Sequence, residues 1–312
     1  MVPAATPRSY YGLPVIKEPT WTPEIPFYFF FGGLAGASAG FAYVSGLRGD
    51  DEVARRAWAI ALGGVVVSPA LLISDLGQPK RFLNMLRVFK VTSPMSVGSW
   101  VLATAGPLTA LAAVNAWTGR LPRLAAAARP GAALLGLGLS TYTAALLADT
   151  AVPVWHEARG TLPYVFAGGS AASAGAAALV ATASRPAAPA RRLALAGAAL
   201  ELVSAQAMER SLGEVGEPYR RGAAGALSRA GQALTATGAG VIALRGRTRA
   251  GALAGGGMVL GGALLERWSI FRAGFQSARD PRHVVGPQRA RVAEGRGHGA
   301  VRQAGRASAQ PA

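Results

Sequence analysis

Cysteine is absent from the 312 residues, which removes disulfides, thiolate zinc sites and chain-borne iron–sulfur clusters from consideration. Histidine is almost as scarce: His156, His283 and His298 are the three in the chain, and none falls inside a long apolar run. A b-type haem held between membrane helices takes axial ligands from spanning segments, so a haem-bearing chain is not expected. Acids are few, with 15 Asp and Glu against 32 Lys and Arg and a net charge of +17. The bases are scattered along the borders of apolar runs instead of being interleaved with aromatics in one patch, which argues against nucleic acid as a partner. A basic stretch leading into a short apolar one is missing from the first 25 residues. Ala37-Ser38-Ala39 mimics a cleavage site but sits inside a full-length run, so the first run is expected to be retained.

What remains is apolar. Hydrophobic residues make up 51% of the chain, charged residues 15%, and there are 41 glycines, the composition of a membrane protein. Spanning a bilayer takes roughly 20 mostly apolar residues as a helix. Eight runs of about that length occur, at 26–47, 54–74, 96–118, 130–150, 161–184, 191–209, 222–244 and 250–271. An all-α integral membrane protein with eight transmembrane helices is the expectation. The later runs are rich in Ala and Gly yet keep charge to their borders, as spanning helices do. Glycines recur four apart, as at Gly32, Gly36 and Gly40 or among Gly251, Gly255, Gly257 and Gly261, and would let helix backbones approach closely in lipid.

The organisation expected is an N-terminal arm over 1–25, a first four-helix bundle over 26–150, a second over 151–271, and a basic, disordered tail over 272–312. The arm is Pro-rich, with Tyr10-Tyr11 and Trp21. Residues 82–95 alternate apolar side chains with Arg87 and Lys90 and suit a short interfacial helix. The two halves share no motif, so an inverted repeat receives no support. The linkers after the first, third, fifth and seventh runs are short and carry three Arg each. Basic short loops favour the cytoplasm, which puts the termini and the turn after Asp75 outside the cell membrane.

That turn is the most informative stretch. Asp75-Leu76-Gly77-Gln78-Pro79-Lys80-Arg81-Phe82 follows a long apolar run with an acid, two helix breakers and two bases, so a polar turn sits at a membrane face. Downstream are Thr92-Ser93-Pro94-Met95-Ser96-Val97-Gly98-Ser99-Trp100 and Ser140-Thr141-Tyr142-Thr143-Ala144, the latter followed by Val152-Pro153-Val154-Trp155. In this order the segments resemble the Asp-Leu-Gly-x-Pro-x-Arg-Phe, Ser-Pro-Met-Ser-x-Gly-x-Trp and Tyr-Thr-Gly elements of the NrfD/PsrC family, integral membrane subunits of polysulfide-reductase-type molybdenum oxidoreductases. Ala144 stands where Gly is usual. The resemblance covers roughly residues 26–170.

The resemblance implies two four-helix bundles side by side and a haem-free membrane anchor. It further implies a site for menaquinone or ubiquinone among the first four helices. Electrons would pass between that quinone and a docked four-cluster ferredoxin-type iron–sulfur subunit, with chemistry on a distant molybdopterin subunit, so that the chain alone is not catalytic. Tyr142 takes the role of head-group contact, and a phenol can donate to a quinone carbonyl while staying neutral in the membrane. The start of the first helix, Phe27-Tyr28-Phe29-Phe30-Phe31, leaves Tyr28 as the polar candidate on that side.

Other residues carry chemistry by type. Asp75 and Arg81 either pair across the turn or pass protons at the pocket mouth, since quinol oxidation releases protons. His156, beside Trp155, is of the residue type that relays protons, and both are candidate site residues. Glu201 is the anomaly of the later runs, since an intramembrane carboxylate costs roughly 2.5–3.5 kcal/mol on insertion scales and needs a proton or a partner. Arg210 is too far along the helix for a one-turn pair, and Glu266-Arg267 are expected at the interface. Glu201 and the many glycines leave a secondary transporter as the alternative. A structural anchor without a working quinone pocket is a third reading.

Overall fold

A computed structural model describes residues 14–182 and 187–293 of the chain, and among these every regular element is helical. Eight helices are long: α1 (Glu24–Leu47), α2 (Asp51–Asp75), α3 (Pro94–Thr118), α4 (Pro122–Ala148), α5 (Leu162–Ala181), α6 (Ala188–Ser211), α7 (Gly222–Arg245) and α8 (Arg249–Arg279). At 20 to 31 residues and about 1.5 Å per residue, each is about as long as a hydrocarbon core is thick. Five of them, α1 to α5, are also apolar enough to cross a membrane. The sixth falls short because Arg191, Arg192, Glu201, Glu209 and Arg210 lie within it.

Local chemistry sets the ends. Asp51 and Glu52 occupy the first turn of α2, where the helix dipole favours negative charge, and Glu52 also pairs with Arg55 and Arg56. Ser93 caps α3 by accepting from the Ser96 amide, with Pro94 at the first helical position. Gly119, at φ +69°, ends it in the left-handed region. The fourth helix starts at Pro122, eight residues before the expected start, because Pro130 is accommodated inside it.

In the first half, α1 packs on α2 and α4, and α3 bridges α2 and α4. In the second, α5 packs on α6 and α8, and α7 on α8 and α6; the halves meet chiefly through α1 and α4 against α5. Small residues allow the close approaches. A Cβ on Gly36 would lie 2.2 Å from the Gly136 carbonyl oxygen, and one on Gly197 would lie 2.2 Å from the Ala172 amide nitrogen. Of the glycines singled out by spacing, Gly36, Gly251 and Gly255 mark such contacts, whereas Gly32, Gly40 and Gly261 face only ordinary neighbours. An aromatic seam joins the halves, with Phe29 of α1 edge-on to Phe166 of α5 at 5.8 Å.

Two expectations are corrected. The tail does not become irregular at 272. The eighth helix continues to Arg279 because Ala273, Gly274, Ser277 and Ala278 remain buried, and a further helix spans Arg282–Ala293. Residues 294–312, with His298, lie outside the described residues, as do Tyr10-Tyr11. Over 82–93 the helical part is only Phe82–Met85, preceded by a 3₁₀ turn over Pro79–Arg81, and residues 94–95 already belong to α3.

Candidate functional site

The three motifs meet at one end of the first half, where α1 and α3 begin and α2 and α4 finish. Helix α2 stops at Asp75 because Gly77 takes a left-handed φ of +63° and Pro79 follows. Asp75 does not pair with Arg81. Its Oδ1 accepts from the Thr22 amide at 2.8 Å and the Thr22 hydroxyl at 2.7 Å, while Arg81 is exposed. The signature acid thus clamps the chain that enters α1.

The same arm is held at two further points. Trp21 stacks on Trp155 with ring centres 5.3 Å apart, and lies edge-on to Phe29 at 6.4 Å. Glu18 receives two hydrogen bonds from Arg279, at 2.8 and 3.1 Å, and that guanidinium holds the Glu18 carboxyl below its ordinary range. The arm therefore crosses from α8 through the Trp155 linker to α2, tying the two halves together.

The serines of the second motif are structural. Ser96 Oγ donates to the Val88 carbonyl and accepts from the Lys90 amide, both at 3.0 Å, which fixes the loop before α3. Ser99 donates to the Met95 carbonyl at 2.8 Å. Gly98 is different, because Tyr142 of α4 occupies the space beside it. A Cβ there would lie 2.0 Å from Tyr142 Cζ and 2.4 Å from its hydroxyl oxygen. The second motif supplies the notch that seats the tyrosine of the third.

Tyr142 is half-buried, and its phenol faces that of Tyr28. Tyr28 is 1% exposed, and its hydroxyl makes no hydrogen bond of ordinary geometry. A buried hydroxyl without a partner costs about 1–3 kcal/mol, so the place suits a ligand acceptor. A Cβ on Gly32 of α1 would lie 3.8 Å from Ser68 Oγ of α2 and 3.9 Å from the Tyr28 ring, which places both residues beside the phenol.

The other expected site residues are not hydrogen-bonded or ring-packed to either phenol. Trp155 is wholly buried, donates from Nε1 to the Ile270 carbonyl at 2.8 Å, and lies against Gly274, where a Cβ would be 2.0 Å from its ring. His156 is exposed, with Nδ1 3.0 Å from the Ala148 carbonyl oxygen. Glu266 and Arg267 are not at an interface, each being 2% exposed beside Glu201. Their burial is hard to see in the sequence because they adjoin the polar end of an apolar run, and the hint is the apolar Ile270-Phe271 pair that follows.

Two further features are visible only in three dimensions. A cavity of about 620 Å³ lies at the opposite end of the first half, among Tyr43, Trp58, Arg55, Asn115 and Arg129. Glu217, Asp280 and His283 bring one possible metal-ligand atom each within 4.8 Å of one another. Asp280 is already held by Arg282 and Glu217 by Arg221, so both carboxylates are committed to guanidinium groups.

The family model NrfD_2, polysulfide reductase, matches residues 8–279, most of the chain. Comparison with curated proteins gives no match.

Proposed function

Since the chain belongs to the NrfD family of polysulfide reductase membrane subunits, we propose that it anchors an oxidoreductase complex and binds a membrane quinone, menaquinone or ubiquinone, between Tyr28 and Tyr142. The observation that carries this reading is that Gly98 of the second motif seats Tyr142 of the third against Tyr28, whose buried hydroxyl has no hydrogen-bond partner, at the end of the first half that also carries the Asp75 turn. Either phenol can donate to a quinone carbonyl. The clamped Asp75 stands at the mouth as acceptor for the protons that quinol oxidation releases, with Arg81 on the rim and the exposed His156 as a further surface acceptor. The indole of Trp155 holds the arm over this end.

In this reading all eight long helices cross the cell membrane as two four-helix bundles, residues 26–150 and 151–271 forming their cores. The short basic linkers place the termini and the Asp75 turn outside. A docked four-cluster iron–sulfur subunit exchanges electrons with the quinone, and a molybdopterin subunit carries the substrate chemistry. The test is Tyr142→Phe in the purified complex. Quinone turnover and inhibitor affinity should fall together, and unchanged values for both would remove the tyrosine from the site.

A secondary transporter keeps one supporting observation, the buried group of Glu201, Glu266 and Arg267. Solute uptake into liposomes by the chain alone would favour that reading.

A further inference from the structure

Four carboxylate oxygens are buried in the second half without a hydrogen-bond partner: both of Glu201 on α6 and both of Glu266 on α8. Arg267 adjoins them. Its Nη2 donates to the Phe166 carbonyl at 3.1 Å and its guanidinium lies 4.1 Å over the Phe166 ring, while Nη1 has no partner. Gly169 of α5 makes the room. A Cβ there would lie 2.2 Å from Glu201 Oε1 and 2.7 Å from Arg267 Nη2.

The charges do not balance if every group is ionised. Two carboxylates face one guanidinium, and α5 and α7 bring no base to them, contributing Phe166, Ser228, Gln232 and Thr235. Each uncompensated ion in such an interior costs several kcal/mol. One retained proton leaves a single ion pair and a neutral carboxyl, which removes most of that cost.

A polar route leads away from the pair. Glu201 and Glu266 line a narrow void together with Gln232 and Thr235 of α7. Gln232 Nε2 donates to Glu209 Oε1 at 2.9 Å, and Ser228 Oγ donates to the same oxygen at 3.3 Å. The buried Tyr219 hydroxyl, also without a partner, faces both Glu209 and Glu266. Glu209 is half-buried near the end of α6, where its carbonyl accepts from the exposed Arg220. This is the end of the molecule that also carries Asp75. Ten residues of helix separate Glu201 from Ser211, about 15 Å of depth.

We propose that Glu201 and Glu266 share one exchangeable proton beside Arg267, loaded from the Asp75 end through Glu209 and Tyr219, with Gln232 holding the Glu209 carboxylate in place. The proton leaves water at the surface, rests on a carboxylate oxygen at mid-depth, and returns the same way. No electron is moved. The site is distinct from the tyrosine pair and stands whether or not quinone binds there.

Infrared spectroscopy of the full-length purified chain at neutral pH tests this. A protonated-carboxyl C=O band should be present, should shift on transfer to D₂O, and should be lost in Glu201→Gln and in Glu266→Gln. Glu209→Gln should keep the band and slow its deuterium shift severalfold. Absence of the band in the unmodified chain overturns the proposal without any variant having to fold, and so does a band that survives both substitutions. A Glu209→Gln shift as fast as the unmodified chain's overturns the route. None of these readouts involves quinone, so they fail or succeed separately from the Tyr142 test.

Discussion

Gly98→Ala is the perturbation that probes the tyrosine pair without replacing either tyrosine. The added Cβ would sit 2.0 Å from Tyr142 Cζ, 2.1 Å from Cε2 and 2.4 Å from the hydroxyl oxygen. Carbon atoms in contact normally stand about 3.5–4.0 Å apart, so the ring must withdraw by about 1.5–2 Å. Overpacking of this kind costs about 1–3 kcal/mol. It also carries the hydroxyl outside the narrow O–H···O range of about 2.5–3.0 Å, and a misplacement of about 1 Å can cost on the order of 100-fold in rate. Denaturant unfolding of the purified chain should show the loss of stability, and quinone turnover by the assembled complex should fall by one to two orders of magnitude. Combined with Tyr142→Ala, the glycine substitution should become nearly neutral for stability, which a double-mutant cycle would register as a coupling about as large as the single cost. If Gly98→Ala unfolds and turns over like the unmodified protein, the notch does not seat the tyrosine and the reasoning from geometry fails.

Other consequences follow from the same structure. Asp75→Ala removes the acceptor of both Thr22 hydrogen bonds, costing about 1.5–3 kcal/mol, and limited proteolysis should cut the arm near Trp21 faster. Asp75→Asn keeps a carbonyl acceptor, so a variant that holds the arm yet loses turnover would assign Asp75 to proton transfer. Hydrogen bonds from Arg282 push the Asp280 carboxyl down to about 2 from its ordinary 3.8. Its contribution is therefore full above about pH 4 and lost as pH falls toward 2; Asp280→Asn should flatten that part of the stability profile, and an unchanged acid limb would contradict the pairing. Gly274→Ala meets the Trp155 ring at 2.0 Å and should destabilise by about 1–3 kcal/mol. Gly257→Ala meets nothing within 4 Å, and unfolding measurements should find it neutral or stabilising by up to about 1 kcal/mol.

The helices were legible because apolar length is a one-dimensional signal. Each of the eight runs falls for most of its length on a long helix among the described residues, and the largest disagreements have local causes. Pro130, where the apolar run begins, is tolerated inside α4, and α8 outruns Phe271 because Gly274 and Ala278 still face neighbours. The motifs located the end of the molecule where Tyr28, Gly98 and Tyr142 meet. Partners distant in sequence were not legible. Nothing in the order of residues says that Asp75 binds Thr22 instead of Arg81, that Trp155 stacks on Trp21, or that Arg267 reaches from α8 to Glu201 of α6 and Phe166 of α5. Spacing also misjudged glycines, since Gly257 of the Gly251–Gly261 series faces open space while Gly197, outside any series, presses on a backbone amide.

Photoaffinity labelling of the intact complex with an azido-quinone addresses the central claim most directly, because two places in the first half compete for the ligand. Label recovered from the beginning of α1 and the end of α4, around Tyr28 and Tyr142, and suppressed by excess unmodified quinone, is the predicted result. Competable label confined to the opposite cavity, around Tyr43 and Trp58, would contradict it.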